Sequence, residues 1–424
     1  MNDSVFERVG REDPVRREPA GGAWRREQAQ VTRARVLAAI DRDRAPISPP
    51  ARRGGSVLRA GGAAVGVAVV VVVVAFVTLG HHGHAPKSAP AAGRDRPAAI
   101  ASSKPVGLYA AGVVDVGGSP QALLAHGDSL WIATPSSVVR LNLQNGSTIA
   151  RIPLPTDGVN AGLAFGAGSI WLAPTGTSQL LRIDPSSNRL VATIDLGASD
   201  NGRVSSLGGG VAFAAGRIWV SRDSNDPRGD VISVNPATGG AATPITVGSG
   251  PGTVVSGFGS PWVDNTSVVV GNTAPSTTFP AVSRIDLQTR RVTTEPFAGI
   301  PAVGFGSLWI QTNAVSDVAA IVRVDPATGQ TLARIAVPRV VGVSSGGGRV
   351  WAISYPKSRS ARTFQPIKGT AALWQIDPRT NRVIGTPIHL PLIQPISIVV
   401  SHDQLWIADY QSGKLTHFQL ITRQ

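Results

Sequence analysis

Residues 163–197 read LAFGAGSIWLAPTGTSQLLRIDPSSNRLVATIDLG, and four short apolar runs lie between their turn signals. The first, at Leu163 to Phe165, is made of small and apolar residues and ends at a glycine turn. The second is centred on Trp171, and the third runs into Asp184-Pro185-Ser186-Ser187-Asn188. The fourth, ATIDLG, alternates in polarity and ends at Gly197. An Asp side chain can accept from its own backbone two residues on, Pro pre-sets φ, and Asn tolerates φ > 0, so the third and fourth runs are expected to form a tight hairpin. Such a four-stranded sheet cannot bury both of its faces alone.

The same unit recurs through the rest of the chain. Its tryptophans fall at Trp131, Trp171, Trp219, Trp262, Trp309, Trp351 and Trp406, with spacings of 40, 48, 43, 47, 42 and 55 residues. The turn landmark returns as RLNLQNG at Arg140, SVNPATG at Ser233, RIDLQTR at Arg284, RVDPATG at Arg323 and QIDPRTN at Gln375. ARIPLP, TPITVG and ARIAVP repeat the closing run. Units of this length with four strands each are propeller blades, stacked around an axis so that neighbours cover one another's faces. The last unit, from Ile396, lacks a fourth strand, while AGVVDVG at residues 111–117 stands alone ahead of the first. The N-terminal strand is therefore expected to complete the last blade and remove a free sheet edge. The fold class read from residues 106–424 is all-β, a seven-bladed β-propeller.

The succession W-I-A, R-I-D-P-x-T-G and V-A-T-I resembles the YVTN/YncE-like and virginiamycin B lyase-like propellers of bacteria, over about three quarters of the chain. The resemblance speaks to architecture, since one fold hosts many functions. In the lyases it implies His and Glu residues near the central axis acting with magnesium. That pattern does not transfer here: Glu295 is the only glutamate past residue 80 and is expected on an outer strand. His126 and His402 fall in first-to-second-strand turns and His389 and His417 on outer strands.

Ahead of the repeats the chain is of a different kind. The first 59 residues hold 13 arginines and eight acids, a net +5, and residues 24–44 lack Gly and Pro and could form one helix, a docking site for a cytoplasmic partner or a basic face on anionic lipid. Ala60 to Gly80 is uncharged, with AVVVVVVA at 68–75, which is long enough for a helix to cross a bilayer and longer than the apolar core of a cleaved signal peptide. Arg52, Arg53 and Arg59 flank it on the N-terminal side, so a cytoplasmic N-terminus and an extracytoplasmic propeller are expected, in a single-pass protein of the cell membrane. Residues 81–105, with Pro86, Pro90, Pro97 and Pro105, read as a semi-extended linker, and His81, His82 and His84 in it lack a carboxylate partner for a metal. The formal +14 divides as +5, +3 and +6 over tail, linker and repeats, which encodes orientation and argues against nucleic-acid binding by the large domain. There is no cysteine, which excludes disulfide scaffolds, thiol catalysis and cysteine-based zinc sites.

Candidate chemistry within the repeats is sparse. Gly342-Val343-Ser344-Ser345-Gly346 fits a nucleophile-elbow pattern by letter, but lies between a first strand and the Trp351 strand, with no helix after it. Residues 223–230 (DSNDPRGD) are oxygen-rich, with Pro227 where a third calcium ligand belongs. No catalytic residue, cofactor or metal site is assigned, and the chain reads as a non-enzyme. A binding face is expected where the loops after each tryptophan strand and those joining blades crowd one end of the ring. Arg203, Arg222, Asp264, Asn265, Gln311, Asn313, Arg339, Tyr355, Lys357, Arg359, Arg362 and Tyr410 are its candidates, with Gln121, Asn160, Asp223, Gln394 and Asp409 beside them. The longest insertion, Tyr355 to Lys368, carries four basic residues and favours an acidic ligand. The expected role is a membrane-anchored binding or scaffold module for an envelope protein, polysaccharide or other extracellular ligand. The alternatives are a lyase or hydrolase acting on the same face, and a transmembrane sensor reporting through its cytoplasmic tail.

Overall fold

The computed structural model describes residues 104–155, 159–197, 206–223, 229–248, 250–265, 281–295, 299–312, 320–355 and 369–421. The tail, the apolar segment 60–80 and most of the linker lie outside these residues. The described strands form seven four-stranded antiparallel sheets. Six are built from consecutive strands, as in blade 1, which runs through Ala122–His126, Ser129–Ala133, Ser137–Asn142 and Thr148–Pro153. The seventh joins Pro395–Ser401, Gln404–Asp409 and Lys414–Ile421 to the N-terminal strand Gly107–Asp115, which pairs along Lys414–Ile421. The ring therefore closes as the unpaired strand at each end of the sequence requires.

Burial follows position in the blade. Second strands such as Ser129–Ala133 and Ser307–Gln311 are buried along their whole length because neighbouring blades cover both faces. Outermost strands such as Arg189–Asp195 alternate between exposed and partly covered residues. The seven repeat tryptophans are between 0 and 4 % exposed, each in one of the apolar layers between blades. Innermost strands come so close that side chains are excluded: a Cβ on Gly162 would lie 2.1 Å from the Gly209 carbonyl oxygen, and one on Gly210 would lie 2.0 Å from that of Gly252.

Outer edges are blunted in a repeated way. In blades 1, 2 and 5 the pairing of third and outermost strands slips by one residue, leaving Ile149, Val191 and Leu332 as the extra residue. A bulge of this kind twists an edge and spoils it as a template for another strand. The expected turn chemistry holds in all six landmarks. Asn142, Asp184, Asn235, Asp286, Asp325 and Asp377 each accept from the backbone N–H two residues on. The residue four positions after each has positive φ, for example Asn188 at 54° and Gly329 at 70°. Gly342 to Gly346 belongs to the first strand of blade 6, Val340–Gly346, with the hairpin turn beyond it at Gly347 and Gly348.

Candidate functional site

The two ends of the ring are unlike. First-to-second and third-to-outermost connections are short turns at one end, the hairpin end. Second-to-third connections, and those that pass between blades, lie at the opposite loop end. There the second-to-third connections grow from 134–136 and 176–178 in blades 1 and 2 to 266–280 in blade 4 and 355–370 in blade 6. Both chain ends of the ring are at the hairpin end: Gly107 pairs with Ile421, and Arg349 Nη2 donates to the Lys104 carbonyl at 2.9 Å.

The candidate residues that are described all sit at the loop end, as strand alternation requires, but largely within the wall. Arg222 is 4 % exposed. Its Nε and Nη2 donate to the two carboxylate oxygens of Asp230 at 2.7 and 2.8 Å, and its Nη1 donates to the Leu196 carbonyl at 3.1 Å. It thus ties the third blade to the outer strand of the second. Asp264 and Asn265 are buried, and Asn265 Nδ2 donates to Ser283 Oγ at 2.8 Å. Gln311 is buried at the end of its strand. Asp409 is buried and accepts from the Ile393 and Gln394 amides, both at 2.8 Å, fixing the crossing into blade 7. Tyr355 is buried among Leu373, Leu390 and Leu392, and that burial pushes its phenol above its usual range. Gln121 is buried at the head of blade 1, while Arg339, Gln394 and Tyr410 are half-buried, Arg339 at φ 50°. The Asn160 backbone is in the innermost strand of blade 2. Arg203, Asn313, Lys357, Arg359 and Arg362 lie outside the described residues.

A second arrangement, nearer the hairpin end, is absent from the sequence-based expectations. In blades 1, 2, 4 and 5 an arginine lies directly across the strands from the tryptophan, pairing Trp131 with Arg140, Trp171 with Arg182, Trp262 with Arg284 and Trp309 with Arg323. Each guanidinium lies over its indole, at 4.8, 5.3, 5.4 and 5.1 Å respectively from the ring centroid. Each Nε donates to the serine two residues before the tryptophan, as Arg323 does to Ser307 at 2.8 Å. Each Nη1 then crosses to the next blade and donates to the carbonyl of residue 185, 236, 326 or 378, all prolines of the turn landmark. Blade 3 exchanges the two residues, with Arg217 donating to Ser233 Oγ at 2.9 Å.

The closing blades depart from the pattern where the chain departs from it. Blade 6 has Gln375 in the arginine position, and its side-chain amide both accepts from and donates to the Val106 backbone at 2.8 Å, clasping the incoming N-terminal strand. In blade 7 His417 takes the position, stacked on Trp406 with centroids 3.8 Å apart and bonded to Gln404. Gln404 in turn donates to Gln144 of blade 1 at 2.9 Å. His417 is thus on the third strand, 3 % exposed, not on an outer strand as the repeat suggested, because the outermost strand of this blade comes from the N-terminus.

Chemically, the described part of the loop end offers a polar floor in which Arg222, Asp230, Asn265 and Asp409 are tied into ion pairs or hydrogen bonds. Among the described residues no group of three or more His, Asp or Glu is placed to hold a metal ion.

These features define a seven-bladed β-propeller with N-terminal strand closure. It is similar in fold to the solved structures of U3-55K (TM-score 0.53, 13% identity, covering 74% of this chain and 100% of that one) and the WD40 β-propeller domain of Doa1 (TM-score 0.52, 10% identity, 74% and 97%). It is also similar to a chain of Kuenenia stuttgartiensis hydrazine synthase (TM-score 0.51, 12% identity, 72% and 97%). At such identities the likeness is one of fold. No family model and no curated protein sequence matches the chain.

Proposed function

We propose that this protein is a membrane-anchored extracytoplasmic scaffold, whose propeller binds an envelope protein through its loop end and carries out no catalysis. One observation carries the reading: the ring is entered at the hairpin end, while its longer connections leave from the opposite end. A chain tethered through Ala60 to Gly80 would hold the candidate face away from its anchor. Loops on a rigid scaffold are where binding residues concentrate, and a non-catalytic role accords with the Arg222–Asp230 pair and with Asp409 being held by backbone amides. The basic segment 355–368 on blade 6 adds a preference for acidic groups on the partner.

The test is photocrosslinking in intact cells, with a photoreactive residue at Gln411 on the loop end or at Gln288 on the hairpin end. Gln411 is expected to capture a discrete protein, and Arg359→Ala, Arg362→Ala and Lys368→Ala together are expected to weaken that capture. Identical products from both positions, unchanged by the triple variant, would rule out the loop end as the binding face.

A further inference from the structure

The first residue of every first-to-second turn at the hairpin end is in the left-handed region, and in blades 2 to 6 a left-handed glycine follows it. At that first position blades 1 and 6 use glycine and blades 2 and 3 alanine, but blades 4, 5 and 7 use Phe258 at φ 53°, Phe305 at φ 50° and His402 at φ 54°. A bulky side chain costs the backbone about 1 kcal/mol or more in that conformation, a cost glycine avoids. The cost is not recovered in the core: Phe258 and Phe305 are 41 and 42 % exposed, and neither belongs to an apolar cluster. The two turns are neighbours, since a Cβ on Gly257, just before Phe258, would lie 2.8 Å from Val303 in the adjacent first strand. Exposed Arg290 and Arg291 lie in the outer turn of blade 4, with exposed Arg379 and Arg382 at that of blade 6.

The chain itself says what faces this arc. Exposed Lys104 lies on the hairpin end beside Arg349 of blade 6, and the apolar segment ends at Gly80, a short linker upstream. Fully extended, that linker spans no more than about 80 Å, so a bilayer holding residues 60–80 is always within reach of this end. Tethering alone leaves the ring free to turn, and a surface affinity would fix it. Aromatic rings and arginines exposed at one end of the ring suit the boundary between anionic headgroups and acyl chains.

We propose that the hairpin end of blades 4 to 7 rests on the anionic membrane surface. Phe258 and Phe305 enter the headgroup boundary, the exposed arginines of the same end meet lipid phosphates, and the loop end is held facing away. This rests on the membrane anchorage proposed above and adds an orientation to it.

The natural chain has no cysteine, so single labels are unambiguous. The full chain is reconstituted into vesicles of phosphatidylcholine with phosphatidylglycerol, carrying a fluorophore on Gln288→Cys or Gln411→Cys, and quenched with neutral acrylamide. The Gln288 label is expected to lose quenching that the Gln411 label keeps, and Phe258→Gly with Phe305→Gly, which relieves both turns, is expected to restore it. Equal quenching of both labels in a chain that resists carbonate extraction overturns the docking and leaves the anchorage standing. Release of the chain by carbonate overturns the anchorage, and the docking with it. Shielding of Gln288 already present in detergent, without vesicles, assigns the face to a second copy of the chain and overturns the lipid reading.

Discussion

Arg323 shows how one side chain serves two blades. It stacks on Trp309, bonds Ser307 beneath it, and reaches the Pro378 carbonyl and Asn381 Oδ1 of the next blade at 2.5 and 2.9 Å. Arg323→Ala is expected to cost about 2 kcal/mol in urea unfolding, with Arg323→Lys recovering little, because the planar fork makes bonds in two directions that an ammonium cannot. A lysine variant as stable as the natural protein would show that charge alone suffices. His417 is the counterpart in the closing blade, and burial lowers its pKa from the usual 6.5, against a smaller upward pull from Asp403. The native state therefore binds its proton less readily than the unfolded chain. The stability His417 contributes is complete above pH 6.5 and is lost as pH falls through the lower native value. Melting temperature is expected to drop on acidification, and the drop to be shallower in His417→Gln. Burial lowers His126 in the same direction, so part of the slope remains in the variant.

At the scale of strands and sheets, the closure depends on a clasp of two hydrogen bonds between Gln375 and Val106 and on the pairing of Gly107–Asp115 with Lys414–Ile421. Gln375→Ala is expected to cost about 1–2 kcal/mol. Amide exchange should then accelerate across residues 107–115, with blades 2 to 4 unchanged. Uniform acceleration around the ring would mean that the seam is not a separate opening unit. Much of this architecture was legible in the sequence. Trp spacing, the Asp-Pro turns and the two unmatched strands at the ends of the repeat each reflect local chemistry that survives without tertiary context. The arginine lock was not legible, because Arg and Trp are joined by strand register: Trp262 and Arg284 face each other across a connection far longer than that between Trp131 and Arg140. The serine keeps a fixed spacing from the tryptophan and the arginine a fixed spacing from the turn Asp or Asn, but the distance between the two halves varies. The candidate site was legible as an end of the ring, since strand parity places Arg222, Asp264 and Gln311 there. Burial was not, because the Arg222–Asp230 pair forms across a hairpin whose register residues 224–229 conceal.

For the whole molecule, the proposed arrangement divides the positive charge by role: arginines before residue 60 would hold the cytoplasmic side, and those at the hairpin end would meet lipid phosphates. The described ring holds no disulfide: neighbouring blades meet in apolar layers, blades 1, 2, 4 and 5 each send an arginine to the next, and the last blade is shared by both chain ends. Both proposed roles require the ring to stand outside the cell on a single span. Labelling of intact cells with a membrane-impermeant maleimide, using full-length chains with Gln411→Cys or Gln28→Cys, decides whether it does. Gln411→Cys is expected to react in intact cells and Gln28→Cys only after lysis. Reaction of Gln28→Cys in intact cells with protection of Gln411→Cys, or protection of both until lysis, would overturn this topology.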